Sequence, residues 1–452
     1  MPGQIRLARV RMNHQEEGDV SWWCEMQVFS LDDHATSELP DYTAISYTWG
    51  NRKDLIVCYI CSPSGLLYAC PLTESAGDAI RSISAHVDLP SIFIWIDQVC
   101  IDQENPEEKA TQVSLMKKIY ERAGNIIVWL GPESDNSHLV IEKIREVSAF
   151  PNDGKQIPWA QYREVADSDD FQKDASLWEA MWKFLTREWF SRAWVLQEAT
   201  ANPGRTFFFC GEDYVHWHEL NLFYAFLQSV SNSKWLAGME FQGNLRFLWP
   251  DIPIERFMRF QAHRVNFPKG WPFLTLLEQV RSARASDPRD KLFPFIQFAS
   301  DVERTVPHFK VDYLKPLADV LVDFVLWYLN SHRDLKFLGH CGWMNHDANR
   351  VGPMDDCSSM LKTSQSQMID TEDSIDSFTQ IALNGADLPS WVPDWTLPSI
   401  SKPLEQLEDF QPGKKIRKRF EACGSWRLNF GINEHKYRRY PSLNRWRLPL
   451  VC

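Results

Sequence analysis

Residues 92–130 read IFIWIDQVCIDQENPEEKATQVSLMKKIYERAGNIIVWL. The apolar runs at 92–96 and 125–130 are short, do not alternate with polar residues and end at turn or helix signals. Strands buried on both faces of a parallel sheet show this pattern. The punctuation between them is that of a helix: Asn105 as N-cap, Pro106 at the first helical position, Glu107 and Glu108 in the first turn, Gly124 as the stop. Glu108, three residues after Asn105, resembles the second half of a capping box. Val113, Met116, Tyr120 and Ala123 recur at helical spacing and form the stripe expected to be buried. Strand, helix, strand in that order predicts a right-handed parallel crossover.

Working outward, residues 44–49 (AISYTW) supply another buried strand before the crossover. Beyond it, the polar segment 133–173, with Pro151, Asp153-Gly154 and the acidic residues 167–170, reads as a helix and a long surface excursion inserted into the domain. Helical patterns follow at 177–190 and 191–201, then Pro203-Gly204 and a strand at 206–210 (TFFFC). From about 217 to 337 the pattern is mainly helical, clearest at 317–329. Residues 356–376 read as a polar loop, and beyond Pro403 the sequence is basic and weakly periodic. The expected organisation is a lead-in at 1–41 and an α/β domain at 42–215 with its excursion at about 133–176. A mainly helical region at 216–400 and a weakly ordered tail at 401–452 complete it.

A chain of 452 residues exceeds the ~250–300 residues that one core sustains, so two domains are expected. Sixty acidic against 48 basic residues leave a net charge of −12, which disfavours broad nucleic-acid binding. The run 413–419 (GKKIRKR) is the local exception, and such a run is more often a solvated segment. Residues 1–10 lack the apolar core of a signal peptide, and no apolar stretch is long enough to span a bilayer, so a cytoplasmic location is expected. Ten cysteines without regular spacing fit reduced thiols. Twenty Trp and 27 Phe are read first as core, since each ring can remove roughly 150–250 Å² from water.

Ligands of open parallel sheets bind beyond the carboxyl ends of the strands. There the sequence places Ser46, Tyr47, Thr48, Trp49, Gly50 and Asn51 after one strand, Asp97 through Asp102 and Gln103 after the next, and Gly131-Pro132-Glu133-Ser134 after the third. Farther on, Ser191, Trp194, Val195 and Glu198 fall at i, i+3, i+4 and i+7 and would put a carboxylate on an apolar helix face. Two explanations stay open. Glu198 is either a structural charge, paired with Arg192 or Arg187 or set at the edge of the stripe, or a catalytic group. Cys58 and Cys61 form a CxxC on a strand-like segment rather than at a helix start, which argues against a redox thiol. Cys100 as a nucleophile is disfavoured by neighbouring Asp97 and Asp102. His216 and His218 lack further ligand-type spacing, so no metal is expected. Glycine-rich phosphate loops are missing from the sequence.

Four blocks in this order resemble the fungal heterokaryon incompatibility (HET) domain family: residues 42–50 (YTAISYTWG), 94–103 (IWIDQVCIDQ), 112–131 around MKKIYERAGNIIVWLG, and 189–199 (WFSRAWVLQEA). Residues 287–293 (DPRDKLF), 311–315 (VDYLK) and 388–395 (LPSWVPDW) are similar to blocks that accompany that domain. The resemblance implies a role in nonself recognition, in which fusion of incompatible cells triggers programmed death, through an unidentified incompatibility partner. It also implies a distant likeness to TIR domains, and so an α/β fold with a TIR-like (flavodoxin-like) parallel sheet flanked by helices, followed by a mainly α-helical second domain.

Enzymatic TIR domains cleave NAD at the nicotinamide–ribose bond with a glutamate in a W-C-x-x-E-L pattern. Residues 194–199 (WVLQEA) resemble that pattern, with Val195 for its Cys and Ala199 for its Leu. The carry-over makes Glu198 the catalytic carboxylate with Trp194 supporting its helix, and NAD a substrate rather than a cofactor. Position at the strand ends adds Ser46, Tyr47, Trp49, Gly50, Asp97, Asp102 and Gln103 as substrate-binding candidates. The alternative is a non-enzymatic adaptor or scaffold that self-associates through the same domain.

Overall fold

In a computed structural model the described residues are 3–14, 20–31, 39–61, 65–86, 89–150, 159–168, 171, 174–231, 253–254, 257–258, 270–302, 309–340 and 392–396. The chain divides into two compact units, Met1–Thr305 with Lys310–Leu314, and Val306–Phe309 with Lys315–Cys452.

The first unit is α/β. Its strands are β1 (Gln4–His14), β2 (Val20–Ser30), β3 (Tyr42–Tyr47), β4 (Leu55–Cys61), β5 (Leu67–Thr73), β6 (Phe93–Trp95), β7 (Asn125–Trp129), β8 (Thr206–Cys210) and β9 (Asp213–His216). Its helices are α1 (Glu74–Ser84), α2 (Asp97–Cys100), α3 (Pro106–Arg122), α4 (Ser137–Ser148), α5 (Trp159–Ala166), α6 (Ala175–Leu185), α7 (Glu188–Ser191), α8 (Val195–Thr200), α9 (Trp217–Ser231) and α10 (Phe273–Gln279).

The strands form one sheet in the order β5-β4-β2-β1-β6-β3-β7-β8-β9. Its centre matches the expected crossover. β3 lies between β6 and β7 and is parallel to both, and β8 runs parallel to β7. All six residues of β3 are buried, which is what a strand covered on both faces requires. The wholly parallel sheet expected from the sequence is corrected to a mixed one: β1 runs antiparallel to both β2 and β6, and β4–β5 and β8–β9 are antiparallel hairpins. The N-terminal residues read as a lead-in supply β1 and β2, in the middle of that sheet.

α3 begins as its punctuation predicts. The Asn105 side chain accepts the N–H groups of Glu107 and Glu108, both at 3.1 Å. Glu108 does not close a capping box on Asn105. Its carboxylate accepts the Asp102 N–H at 2.9 Å and pairs with Arg6 of β1, a partner no local spacing could reveal. Val113, Met116, Tyr120 and Ala123 are all buried. The excursion is helical at α4 and α5, and the helical pattern expected at 177–190 is two helices, α6 and α7, broken at Thr186 and Arg187. The expected helix at 191–201 is shorter: Arg192 is extended, with φ −72° and ψ 147°, and α8 starts only at Val195.

In the second unit, α11 (Leu317–His332) confirms the clearest helical pattern of the sequence and stops at Arg333, whose φ of 55° is left-handed. Phe309 and Trp395 pack against its Phe324. The polar loop at 356–376 and the tail at 401–452 lie outside the described residues. No helix among the described residues is long and apolar enough to cross a membrane.

Candidate functional site

β3 carries the first half of the site because it is central and ends at the sheet's carboxyl edge. Ser46 and Tyr47 are its last two residues, so period-two alternation sends their side chains to opposite faces. Ser46 donates its hydroxyl hydrogen to a carboxylate oxygen of Glu198 and accepts the indole N–H of Trp189 at 2.8 Å. Glu198 is 4% exposed and Trp189 1%. The carboxyl is therefore held in an apolar wall by one hydroxyl, which is itself oriented by a buried indole.

Arginine does not clamp this carboxyl through a hydrogen bond of its own. Arg192 donates to the Tyr47 carbonyl, and Arg187 is spent on the carbonyls of Leu130 and Pro132 and on the Ser134 hydroxyl. Burial pushes the Glu198 pKa up from 4.5 to about 7; the Arg192 charge and the Ser46 hydrogen bond pull it down, and Asp97 adds to the rise. A carboxyl whose pKa rises on folding binds its proton more tightly in the native state. Its contribution to stability is intact below 4.5 and is lost as pH climbs through about 7. Measured by urea denaturation, the stability gap between Glu198→Gln and the native chain should widen in the variant's favour by roughly 3 kcal/mol from pH 4 to pH 8. A gap that stays flat across that range would contradict the assignment.

The second half of the site surrounds Asp97 at the start of α2. One carboxylate oxygen accepts the Tyr47 hydroxyl at 2.9 Å and the Gln98 N–H at 2.8 Å, and the other accepts the Trp49 indole at 2.7 Å. Gln103 donates to the Asp97 carbonyl at 2.9 Å. Arg52 lies over the Trp49 ring, 4.6 Å from its centroid. Gly50 makes the turn that follows Trp49, with φ +66°, a conformation that a side chain would strain. Burial, with the Asp97 charge beside it, holds the Tyr47 phenol well above its usual pKa.

The expected candidates thus gather in two sets that meet at the end of β3. Ser46 joins Glu198, while Tyr47, Trp49 and Gln103 join Asp97. Asp102 stands apart: it is exposed, and its side chain caps the Glu104 N–H at 3.1 Å. Trp194 directly precedes the Glu198 helix, and its backbone carbonyl accepts the N–H groups of Gln197 at 2.8 Å and Glu198 at 3.1 Å. Sequence reasoning missed Trp189 as a site residue, although it stands in the quoted block 189–199.

The thiols set aside in the sequence differ in their surroundings: the hydrogen bond with Cys24 lowers the Cys58 pKa against the effect of burial. Burial is the main cause that pushes Cys100 to about 12, with Asp97 contributing little. Cys58 and Cys61 lie on β4, as expected, and the Cys58 sulfur contacts that of Cys24 at 3.5 Å. The described residues contain no group of three or more His, Cys, Asp or Glu arranged to hold a metal. A cavity of about 550 Å³, lined by Lys143, Phe150, Gln161 and Phe171 among others, shares no residue with the Glu198 cluster.

Residues 42–198 match the family model described as heterokaryon incompatibility protein (HET). Glu198 is the last residue of that match. The chain is also 24% identical over 422 residues to heterokaryon incompatibility protein 6, OR allele, of Neurospora crassa, an alignment covering 84% of this chain and 56% of the relative. It therefore spans about half of that relative's length. No solved structure matches it significantly.

Proposed function

This chain belongs to the HET family through residues 42–198, and from that premise we propose that it acts in heterokaryon incompatibility, triggering cell death by cleaving NAD at the nicotinamide–ribose bond. One observation carries the chemical part: a single carboxyl, Glu198, buried at the carboxyl end of a central parallel strand and oriented by Ser46.

Departure of neutral nicotinamide leaves positive charge on the ribose, and a fixed anion in a dry wall stabilises that charge far better than water does. Glu198 is the anion in this scheme, and Ser46 sets its orientation. The Trp49 face, already stacked by Arg52, suits a planar base, and Asp97 suits ribose hydroxyls. With Glu198 only 4% exposed, the wall over it has to part when substrate binds. TIR-like ancestry of the sheet fits this scheme and belongs to the same proposal.

The test is nicotinamide release from NAD by the purified full chain, followed across pH. Activity should rise as pH passes about 7, where Glu198 ionises, and then level off. Absence of release at every pH would remove the enzymatic reading.

A second reading, a self-associating scaffold without turnover, is favoured by the hairpin β4–β5 at the edge of the sheet. Leu55, Val57, Tyr59 and Leu67 are exposed there, an apolar face fit for a second copy of this chain. Under it, a charge at Val57 would abolish both self-association, measured by light scattering, and cell death, whereas loss of the Glu198 carboxylate would spare both.

A further inference from the structure

Three cysteines stand on adjoining strands at one side of the sheet: Cys24 on β2, Cys58 on β4 and Cys70 on β5. The Cys58 sulfur lies 3.5 Å from that of Cys24. On its other side, Cys58 is directly opposite Cys70 in the antiparallel β4–β5 ladder. Residues opposite each other in such a ladder share a face, with Cα atoms about 4.5–5.5 Å apart. A disulfide asks for Cα atoms about 4.4–6.8 Å apart, so this pair can close with little movement of the backbone.

The neighbouring cysteines are placed less well. In the parallel β2–β4 ladder Cys24 is level with Ile60, and Cys58 with Trp22, so the two cysteines are diagonal partners. Diagonal residues across a ladder are about 7–8 Å apart, which a disulfide does not span without shifting the strands. Cys61, an odd number of positions from Cys58, faces the other side of the sheet and is level with Leu67.

The cover over the pair is thin. β5 is the outermost strand, with β4 as its ladder partner, and Tyr68, Ala69 and Pro71 around the half-buried Cys70 are exposed. Pro71 also has no N–H to give the ladder. A strand with so few buried contacts opens locally at small cost, and its opening uncovers the Cys58 sulfur. The hydrogen bond from Cys24 favours the Cys58 thiolate over its neighbours, whereas burial pushes Cys70 up to about 11.

We propose that Cys58 and Cys70 are a redox-responsive pair, which hydrogen peroxide converts into a cross-strand disulfide that staples β5 to β4. The Cys58 thiolate attacks one peroxide oxygen, the O–O bond breaks, and hydroxide leaves a sulfenic acid behind. Cys70 gives its proton to that hydroxide, forming water, and its sulfur attacks the sulfenic sulfur. The S–S bond forms as the S–O bond breaks and a second hydroxide departs. The two sulfurs lose two electrons and the peroxide gains them. The staple acts on parts of the fold already described. Leu55, Val57, Tyr59 and Leu67 are on this hairpin, and β5 ends at Thr73, whose N–H and hydroxyl donate to the Gln98 side chain beside Asp97 at 3.2 and 3.0 Å.

The test exposes the reduced full chain to hydrogen peroxide, blocks the remaining thiols and maps the disulfides by mass spectrometry after trypsin. Cleavage after Lys53 and Arg81 releases Cys58, Cys61 and Cys70 together in peptide 54–81, apart from Cys24. The expected product is that peptide alone, lighter by two hydrogens and restored by dithiothreitol. Cys58→Ser and Cys70→Ser should abolish the change and Cys61→Ser should keep it. In the linked chain the amides of β5 should exchange with solvent about tenfold more slowly or better. The mapping is made on the native chain, so it decides even where a Ser variant fails to fold. A peptide that stays reduced, a link from Cys58 to Cys24, or a linked chain whose β5 amides exchange as before would each overturn the proposal.

Discussion

Glu198→Gln is expected to lower nicotinamide release from NAD by about 10²–10³-fold or more while the chain stays folded, because removal of one preorganised electrostatic group typically costs that much. Gln has the same shape. Its side-chain oxygen can still accept the Ser46 hydroxyl, so the site keeps its packing and loses only the charge. The variant should also lose the rise of activity through pH 7, since the group that ionises there is gone. Steady-state rates across pH, with a folded control by circular dichroism, make the measurement. A variant that retains activity within about threefold would take the charge out of the mechanism.

Trp189→Ala should destabilise the first unit by about 3–5 kcal/mol, the range for deleting a buried aromatic ring and leaving a cavity. Trp189 is 1% exposed, and its ring centroid lies 5.2 Å from that of Phe190, 5.7 Å from Phe208 and 5.6 Å from Phe257. Loss of the ring opens a hole at the centre of that cluster and strips the N–H that orients Ser46. Trp189→Phe separates the two effects. It fills most of the volume but cannot donate, so it should cost far less stability and still disturb Ser46. Chemical denaturation followed by tryptophan fluorescence tests both variants, and equal midpoints for native and Ala chains would show that the ring is dispensable.

Parts of this structure were legible because their causes are local. Asn105, Pro106 and Glu107 define where α3 starts within four residues of sequence, and β3 and β7 announce burial by unbroken apolar runs. β1 and β2 escaped for a physical reason. Leu7 and Ala8 are adjacent and both fully buried, which breaks the alternation that would have marked a strand with one covered face. The Glu198 helix was misjudged in length for another reason. The spacing of Ser191, Trp194 and Glu198 suits one continuous helix, yet the linker is pulled straight by Arg284, a partner about ninety residues away. Ser46 and Asp97 could be nominated from the strand ends, since topology alone brings them to one edge. Their actual partners, Trp189, Tyr47 and Trp49, depend on side-chain directions that no spacing encodes.

The place of β1 and β2 between β4 and β6 bears on where this protein can be cut. A fragment trimmed to begin at residue 42 would part the outer β4–β5 hairpin from the β6-to-β9 core. Both β4 and β6 would then bare a row of backbone donors and acceptors, an invitation to stick to other chains. Expression work is better served by keeping the first forty residues than by following the limits of the recognisable segment.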